Sequence, residues 1–245
     1  MIRFIIAILF VVLFLILTIP IALLILIIGL FNPALKDRIS LGMVKWAFSV
    51  ALFIAGTSVT VIGEDNIPKD RAVLYVGNHR SYFDILVTCA RFNRPTGFVA
   101  KKELGRVPLL SMWMRFIHCH FLDRKDMKQG LATILNCAKD IQSGISIFIF
   151  PEGTRNTGEE GSLLPFHEGS LKIAEKSHSA VLPVAISNSQ AIFERQFPCL
   201  KKSHVILEYC APIETEGLSR EEKRGLALRV HGIIQEKLTE HKNLL

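Results

Sequence analysis

The chain opens on a stretch with almost no polar positions and then changes to short apolar segments separated by polar ones. No charged residue occurs at positions 4–35, and positions 4–30 are almost entirely Ile, Leu, Val and Phe. A single helix of that run would reach roughly 40 Å at about 1.5 Å per residue, against a hydrocarbon core of about 30 Å. The run exceeds the apolar region of a cleavable leader, about 7–15 residues, and no small-residue cleavage site follows it. It therefore reads as a membrane anchor, with Pro20 as a kink or break. A second apolar stretch, 46–62, follows a basic segment carrying Lys36, Arg38 and Lys45. Two readings stand for it: an amphipathic helix plus the first strand of the next domain, or half of a helical hairpin dipped into one leaflet. Basic residues after the first run outnumber Arg3 before it, which places that side, and the domain beyond, on the cytoplasmic face.

Beyond the anchor, strand-like and helix-like patterns alternate. Short apolar runs at 72–77, 97–100, 121–122, 145–150, 181–186 and 204–210 predict strands, the clearest being ISIFIF at 145–150, bounded by Gly144 and Pro151. Pro183 predicts an edge or a bulge for its strand. Helices are predicted over 83–90, 109–117 (opened by Pro108), 126–142 (N-capped by Asp126), 168–177 and 219–241, where Ser219 and Glu222 form a capping box. The alternation implies an α/β fold, a mixed central sheet flanked by helices. In such sheets ligands gather where strands end and loops begin.

Composition narrows the picture. With 245 residues, the chain suits one domain of ordinary size behind the anchor. A net charge of +7 fits an anionic membrane surface or a phosphate-bearing substrate. No nucleic-acid motif is present, so no nucleic-acid partner is expected. The five cysteines, Cys89, Cys119, Cys137, Cys199 and Cys210, have neither metal nor redox spacing and read as reduced thiols. His118 and His120 could chelate from a strand but read as flanking the strand at Phe121, so no metal site is expected.

The polar motifs fall at the strand ends. His79 and Asp84 lie five residues apart after the 72–77 strand. Imidazole exchanges a proton near neutral pH, and a carboxylate on one ring nitrogen leaves the other as a base. No Gly-x-Ser-x-Gly elbow supplies a nucleophile, which points to a base that activates a substrate hydroxyl. After ISIFIF comes FPEGTRN (150–156): Gly153 permits close backbone approach, Arg155 could fork a phosphate, and Glu152 could hold that arginine or accept from a hydroxyl. FLDR (121–124) ends in Arg124, and AKKEL (100–104) carries Lys101 and Lys102.

NHRSYFD (78–84) resembles the His-x4-Asp motif of the glycerophospholipid acyltransferases. FLDR, FPEGTRN and LPVAI (182–186) resemble their second, third and fourth motifs in order and spacing, over about residues 58–212. Within that family the chain most resembles the 1-acylglycerol-3-phosphate type. With the apolar run as anchor over 1–57, one spanning helix or a two-helix in-plane motif, the resemblance implies a catalytic domain over 58–245. His79 would be the general base and Asp84 its orienter. Arg124, Glu152, Gly153, Thr154 and Arg155 would bind the acceptor's glycerol phosphate, Lys101 would lie near thioester or phosphate, and Pro183 would shape the acyl-donor side. The partners implied are a membrane lipid acceptor and a thioester of coenzyme A or acyl-carrier protein, with no cofactor. One departure stands out: relatives often carry Pro-Phe-Lys-Lys-Gly after the third motif, and here it is Pro165-Phe166-His167-Glu168-Gly169. The competing classes are acyl transfer to another lysolipid, a lipid hydrolase or thioesterase using activated water, and a catalytically silent membrane-tethered lipid-binding protein.

Overall fold

The computed structural model describes residues 1–244. The first apolar run forms two helices, α1 (Ile2–Leu17) and α2 (Ile19–Phe31), bent by 49° at Thr18. The break has a local cause. Pro20 sits in the first turn of α2, where its missing N–H costs nothing. The Thr18 hydroxyl donates back to the Phe14 carbonyl at 2.6 Å, closing the end of α1. A third helix, α3 (Pro33–Ala55), absorbs both the basic segment and most of the second apolar stretch, and Gly56 ends it in a left-handed conformation. The remainder of that stretch is the first strand, β1 (Thr57–Ile62), so the helix-plus-strand reading is the one found. Among the described residues, α3 alone is long and apolar enough to cross a membrane by itself.

The domain is built on seven strands: β1, β2 (Leu74–Gly77), β3 (Thr96–Lys101), β4 (His120–Leu122), β5 (Ser146–Ile149), β6 (Val181–Ser187) and β7 (Ser203–Tyr209). Their order is β1-β7-β6-β2-β5-β3-β4, and every neighbouring pair is parallel except β6–β7. The mixed α/β sheet is therefore as expected. Pro183 lies in the sheet interior at a one-residue bulge. Between the Val181↔Ile213 bridge and the Val184↔Tyr209 pair, three steps on β6 face four on the other chain.

Alternation along the central strands feeds two cores. Tyr75, Phe148, Leu182 and Val184 face α3, α4 (Phe83–Cys89) and α5 (Leu110–Phe116). Leu74, Val76, Ile147, Val181 and Ala185 face α6 (Met127–Gln142), α7 (Lys172–Ser177) and α8 (Arg220–His241). The helix expected over 168–177 is split into a 3-10 turn and α7. The capping box at Ser219 and the Asp126 cap are both formed.

The N-terminal helices pack on the first core. Ala22 and Ile25 of α2 are buried with Leu41 and Val44 of α3 and Trp113 of α5. The indole of Trp113 lies tilted against Phe14 of α1, at 5.4 Å between centroids, and its Nε1 donates to the Thr18 hydroxyl at 3.2 Å. One side chain thus pins the α1–α2 bend to the domain. Trp113→Ala is expected to cost about 3–5 kcal/mol, as large-to-small core changes do. Denaturant unfolding in detergent, followed by far-UV circular dichroism, measures it.

Candidate active site

The site is assembled where four adjacent parallel strands end. β2 leads to His79, β5 to Glu152 through Arg155, β3 to Lys101 and β4 to Arg124. Two residues fix the end of β2. A Cβ on Gly77 would lie 2.7 Å from the Phe148 ring, so only glycine lets the aromatic pack there. Asn78 then extends the ladder with its side chain: its amide donates to the Ile186 carbonyl and its carbonyl oxygen accepts from the Ile186 N–H, both at 2.8 Å. The chain leaves the sheet in a fixed direction at His79.

Asp84, in the first turn of α4 and fully buried, turns its carboxylate back under that loop. Its Oδ2 accepts from His79 Nδ1 at 2.9 Å, from the Arg80 N–H at 2.7 Å and from the Ser81 N–H at 2.8 Å. A carboxylate can only accept, so Nδ1 carries the proton and Nε2 holds the free lone pair. Nε2 has no partner among the described residues. Phe150 stacks on the imidazole at 4.2 Å between centroids, covering one face of the ring.

Glu152 clamps backbone amides. It does not hold Arg155. Its Oε1 accepts from the His79 N–H at 2.7 Å and its Oε2 from the Leu164 N–H at 2.9 Å. It is 3 % exposed, and burial pushes its carboxyl above the usual range while the two amides oppose that rise. Glu152 is thus a clamp between the β2 loop, the β5 loop and residue 164. The His79 carbonyl closes the frame by accepting from the Asn156 N–H at 2.7 Å.

The cationic residues divide into two flanks. On one, Gly153 adopts a left-handed conformation at φ +70°, and a Cβ built there would lie 3.1 Å from the His167 ring and 3.6 Å from the Arg124 guanidinium. The exposed His167 of the altered motif is therefore a neighbour of Arg124 at the site. Lys101, also exposed, is in register with Leu122, two residues before Arg124. Neighbouring Lys102 is occupied by Asp123, whose carboxyl it holds below the usual range. On the other flank, the Arg155 guanidinium carbon lies over the Tyr82 ring, 3.8 Å from its centroid, and exposed Thr154 separates Arg155 from Gly153. Pro183 lies buried in the sheet, level with Val76, its carbonyl accepting from Cys210.

Arg80, within the first motif, is a scaffold that the sequence did not single out. It is 1 % exposed and donates to the Ser162 and Gly158 carbonyls and to Gln190 Oε1. Its guanidinium therefore holds the 156–162 loop. The signal was available in principle, since a buried arginine requires several acceptors, but its burial could not be read from spacing. His118 and His120 pair with Asp37 at 3.0 Å and Asp140 at 2.8 Å. Among the described residues no group of His, Cys, Asp and Glu is arranged to hold a metal. The cysteines are free, and burial pushes the Cys119 and Cys210 thiols up to about 12, which removes them as nucleophiles.

The profile of the acyltransferase family matches residues 58–187. The chain is similar to a 1-acyl-sn-glycerol-3-phosphate acyltransferase of Borreliella burgdorferi, with 31 % identity over 82 % of this chain and 80 % of that one. It is similar to the Haemophilus influenzae enzyme of that name at 29 % identity, over 72 % and 74 % of the two chains. With the Saccharomyces cerevisiae enzyme of that name it shares 27 % identity over 79 % of this chain, spanning 64 % of that protein. In structure it superposes on the lysophosphatidic acid acyltransferase PlsC of Thermotoga maritima with a TM-score of 0.78 at 23 % identity, covering 97 % and 96 % of the chains.

Two substitutions test the geometry. Gly153→Ala forces a left-handed alanine against the His167 ring and is expected to destabilise the fold by about 1–2 kcal/mol, read as a lower denaturation midpoint. Glu152→Gln can accept from only one of the two amides and presents an N–H₂ to the other. A loss of about 1–3 kcal/mol is expected in the same measurement.

Proposed function

This chain belongs to the acyltransferase family, and on that premise we propose that it transfers a fatty acyl group from a thioester to the free hydroxyl of 1-acylglycerol 3-phosphate, forming phosphatidic acid. The observation that carries the reading is the His79–Asp84 pair, with Nδ1 tied down and Nε2 open beside two cationic flanks.

The chemistry follows from those positions. The acceptor hydroxyl docks against His79 Nε2, which takes its proton as the oxygen bonds to the thioester carbonyl carbon. The imidazolium that forms is stabilised by the Asp84 carboxylate on Nδ1–H. The tetrahedral adduct then collapses, the C–S bond breaks, and Nε2–H returns the proton to the departing thiolate. The products are an ester and a thiol, and no covalent enzyme intermediate is required because the thioester is already activated. Arg124 and Lys101 on one flank, and Arg155 on the other, are the cations for the acceptor phosphate and the polar part of the donor. The donor is a thioester of coenzyme A or of acyl-carrier protein.

The anchor supports a lipid acceptor. The outward faces of α1 and α2 (Ile5, Leu9, Ile16, Leu23, Ile27 and Leu30) are bare hydrocarbon. The inward face of α1 follows the domain along its length, from Phe4 on Phe193 to Phe14 on Trp113. A helix held at both ends against the domain fits an in-plane seat in one leaflet better than a span. The catalytic domain then rests on the anionic headgroups of the cytoplasmic face, where soluble thioesters arrive.

His79→Ala is expected to lower kcat about 10²–10⁴-fold with unchanged folding. The assay follows labelled acyl thioester with and without 1-acylglycerol 3-phosphate in mixed micelles. Acceptor-dependent ester formation supports transfer, whereas acceptor-independent free fatty acid would replace it with hydrolysis. A folded His79→Ala protein with near-normal turnover would sink the mechanism. His167→Lys, which sets a permanent charge beside Arg124, is expected to lower the KM for the phosphate-bearing acceptor by roughly a few-fold and leave that for the thioester unmoved.

A further inference from the structure

Arg155 is aimed by residues of two separate loops, one of which lies outside both the four motifs and the family match. After β6 the chain makes two 3-10 turns, Ser189–Ala191 and Glu194–Gln196. Glu194 of the second turn reaches across to the catalytic loop. Its Oε2 accepts from the Ser81 hydroxyl at 2.7 Å, and its Oε1 accepts from the Tyr82 N–H at 2.9 Å and from Arg155 Nη1 at 3.3 Å. Arg155 Nη2 donates to the Tyr82 hydroxyl at 3.1 Å while the guanidinium lies on that ring. One carboxylate therefore joins the segment between His79 and Asp84 to the arginine that follows β5.

We propose that Glu194 is a positioning residue for acyl transfer, holding Arg155 and the Ser81–Tyr82 segment in the orientation that receives the acceptor's phosphate. The proposal rests on the acyltransferase reading above. Three observations favour positioning over an incidental surface pair. Glu194 binds groups from both catalytic loops at once, and the Ser81 it holds is fully buried. Arg155 keeps Nε and its outer N–H groups free of partners among the described residues, so the pairing orients the guanidinium without saturating it. The turn that carries Glu194 is itself fastened: Phe193 stacks on Phe4 of α1 at 5.4 Å, and Arg195 pairs with Glu160 at 2.9 Å. Glu160 in turn lies 3.7 Å from buried Arg80. The turn is thus fixed to the apolar helices on one side and to the catalytic scaffold on the other.

The test uses the full chain in lipid nanodiscs, with 1-oleoylglycerol 3-phosphate and oleoyl-coenzyme A as probes. Glu194→Ala is expected to raise the acceptor KM about tenfold, the effect of losing one charge-assisted orienting contact, with the thioester KM unmoved. Glu194→Gln keeps an accepting oxygen but loses the charge, and should fall between. In an Arg155→Ala background, Glu194→Ala should add no further loss in acceptor KM, because its effect passes through Arg155. Hydrogen exchange of the peptide spanning 80–83 is followed in parallel and does not depend on which acceptor turns over; Glu194→Ala should speed it. An unchanged acceptor KM, equal rises in both KM values, or full additivity with Arg155→Ala would overturn the assignment. So would unchanged exchange at 80–83, even if the wild-type enzyme rejected this acceptor. Should Glu194→Ala fail to fold, Glu194→Gln decides by the same split between the two KM values.

Discussion

The site depends on one oxygen atom. Oδ2 of Asp84 accepts three N–H groups, two from backbone and one from the imidazole. The backbone pair bends the chain after β2 so that it doubles back over α4, and that bend brings His79 within reach of the same oxygen. The five-residue spacing follows from this geometry, because the carboxylate must stand one helical turn beyond the amides it gathers. A buried polar group left without partners would be costly, and three donors meet Oδ2 of the fully buried Asp84. His79 then inherits a fixed tautomer at no further conformational cost.

Around that oxygen, other motif residues hold the backbone. Asn78 extends β2 toward β6, Glu152 binds the amides of His79 and Leu164, and Asn156 donates to the His79 carbonyl. Arg80 holds the 156–162 loop through two carbonyls and Gln190. Most of the polar atoms in NHRSYFD and FPEGTRN are therefore spent on protein groups, within the two motifs and in the loops at 158–164 and 186–194. This division of labour explains how a single imidazole is kept in place on a loop, and why the groups left open to a ligand are so few: Nε2 of His79, Arg124, Lys101, His167 and the outer edge of Arg155.

Much of this was legible in the chain. Strand-length apolar runs with turn residues at their ends located six of the strands, and the spacing of polar residues after them located the His79–Asp84 pair. Pro183 was readable as an edge or a bulge because a missing N–H has few places to go in a sheet, and the bulge, inside the sheet, is what is found. What could not be read were contacts made across long stretches of sequence. The clamp role of Glu152 depends on a residue twelve positions on, and the burial of Arg80 depends on carbonyls about eighty positions away. Glu194 sits in an irregular turn with no period or motif to mark it. The second apolar stretch was ambiguous for another reason: a helix buried against a domain and a helix buried in lipid have the same apolar pattern, and only the packing of α3 separates them.

That packing gives the apolar N-terminus a meaning beyond tethering. α3 lies against α4 and α5, and α4 carries Asp84. Lys45 of α3 donates to the Phe92 carbonyl just past the end of α4, and Leu41, Val44 and Leu52 share one core with Val87, Phe92 and Trp113. Close-packed interiors transmit displacement poorly as bending and well as rigid motion. The helix that carries Asp84, the partner of His79, therefore keeps a fixed position relative to the apolar faces of α1 and α2. A flexible tether would leave a soluble domain to find its lipid substrate by diffusion within reach of the linker. Here the hydrocarbon faces and the catalytic loops belong to one packed body, so seating the first on a bilayer fixes the height and tilt of the second.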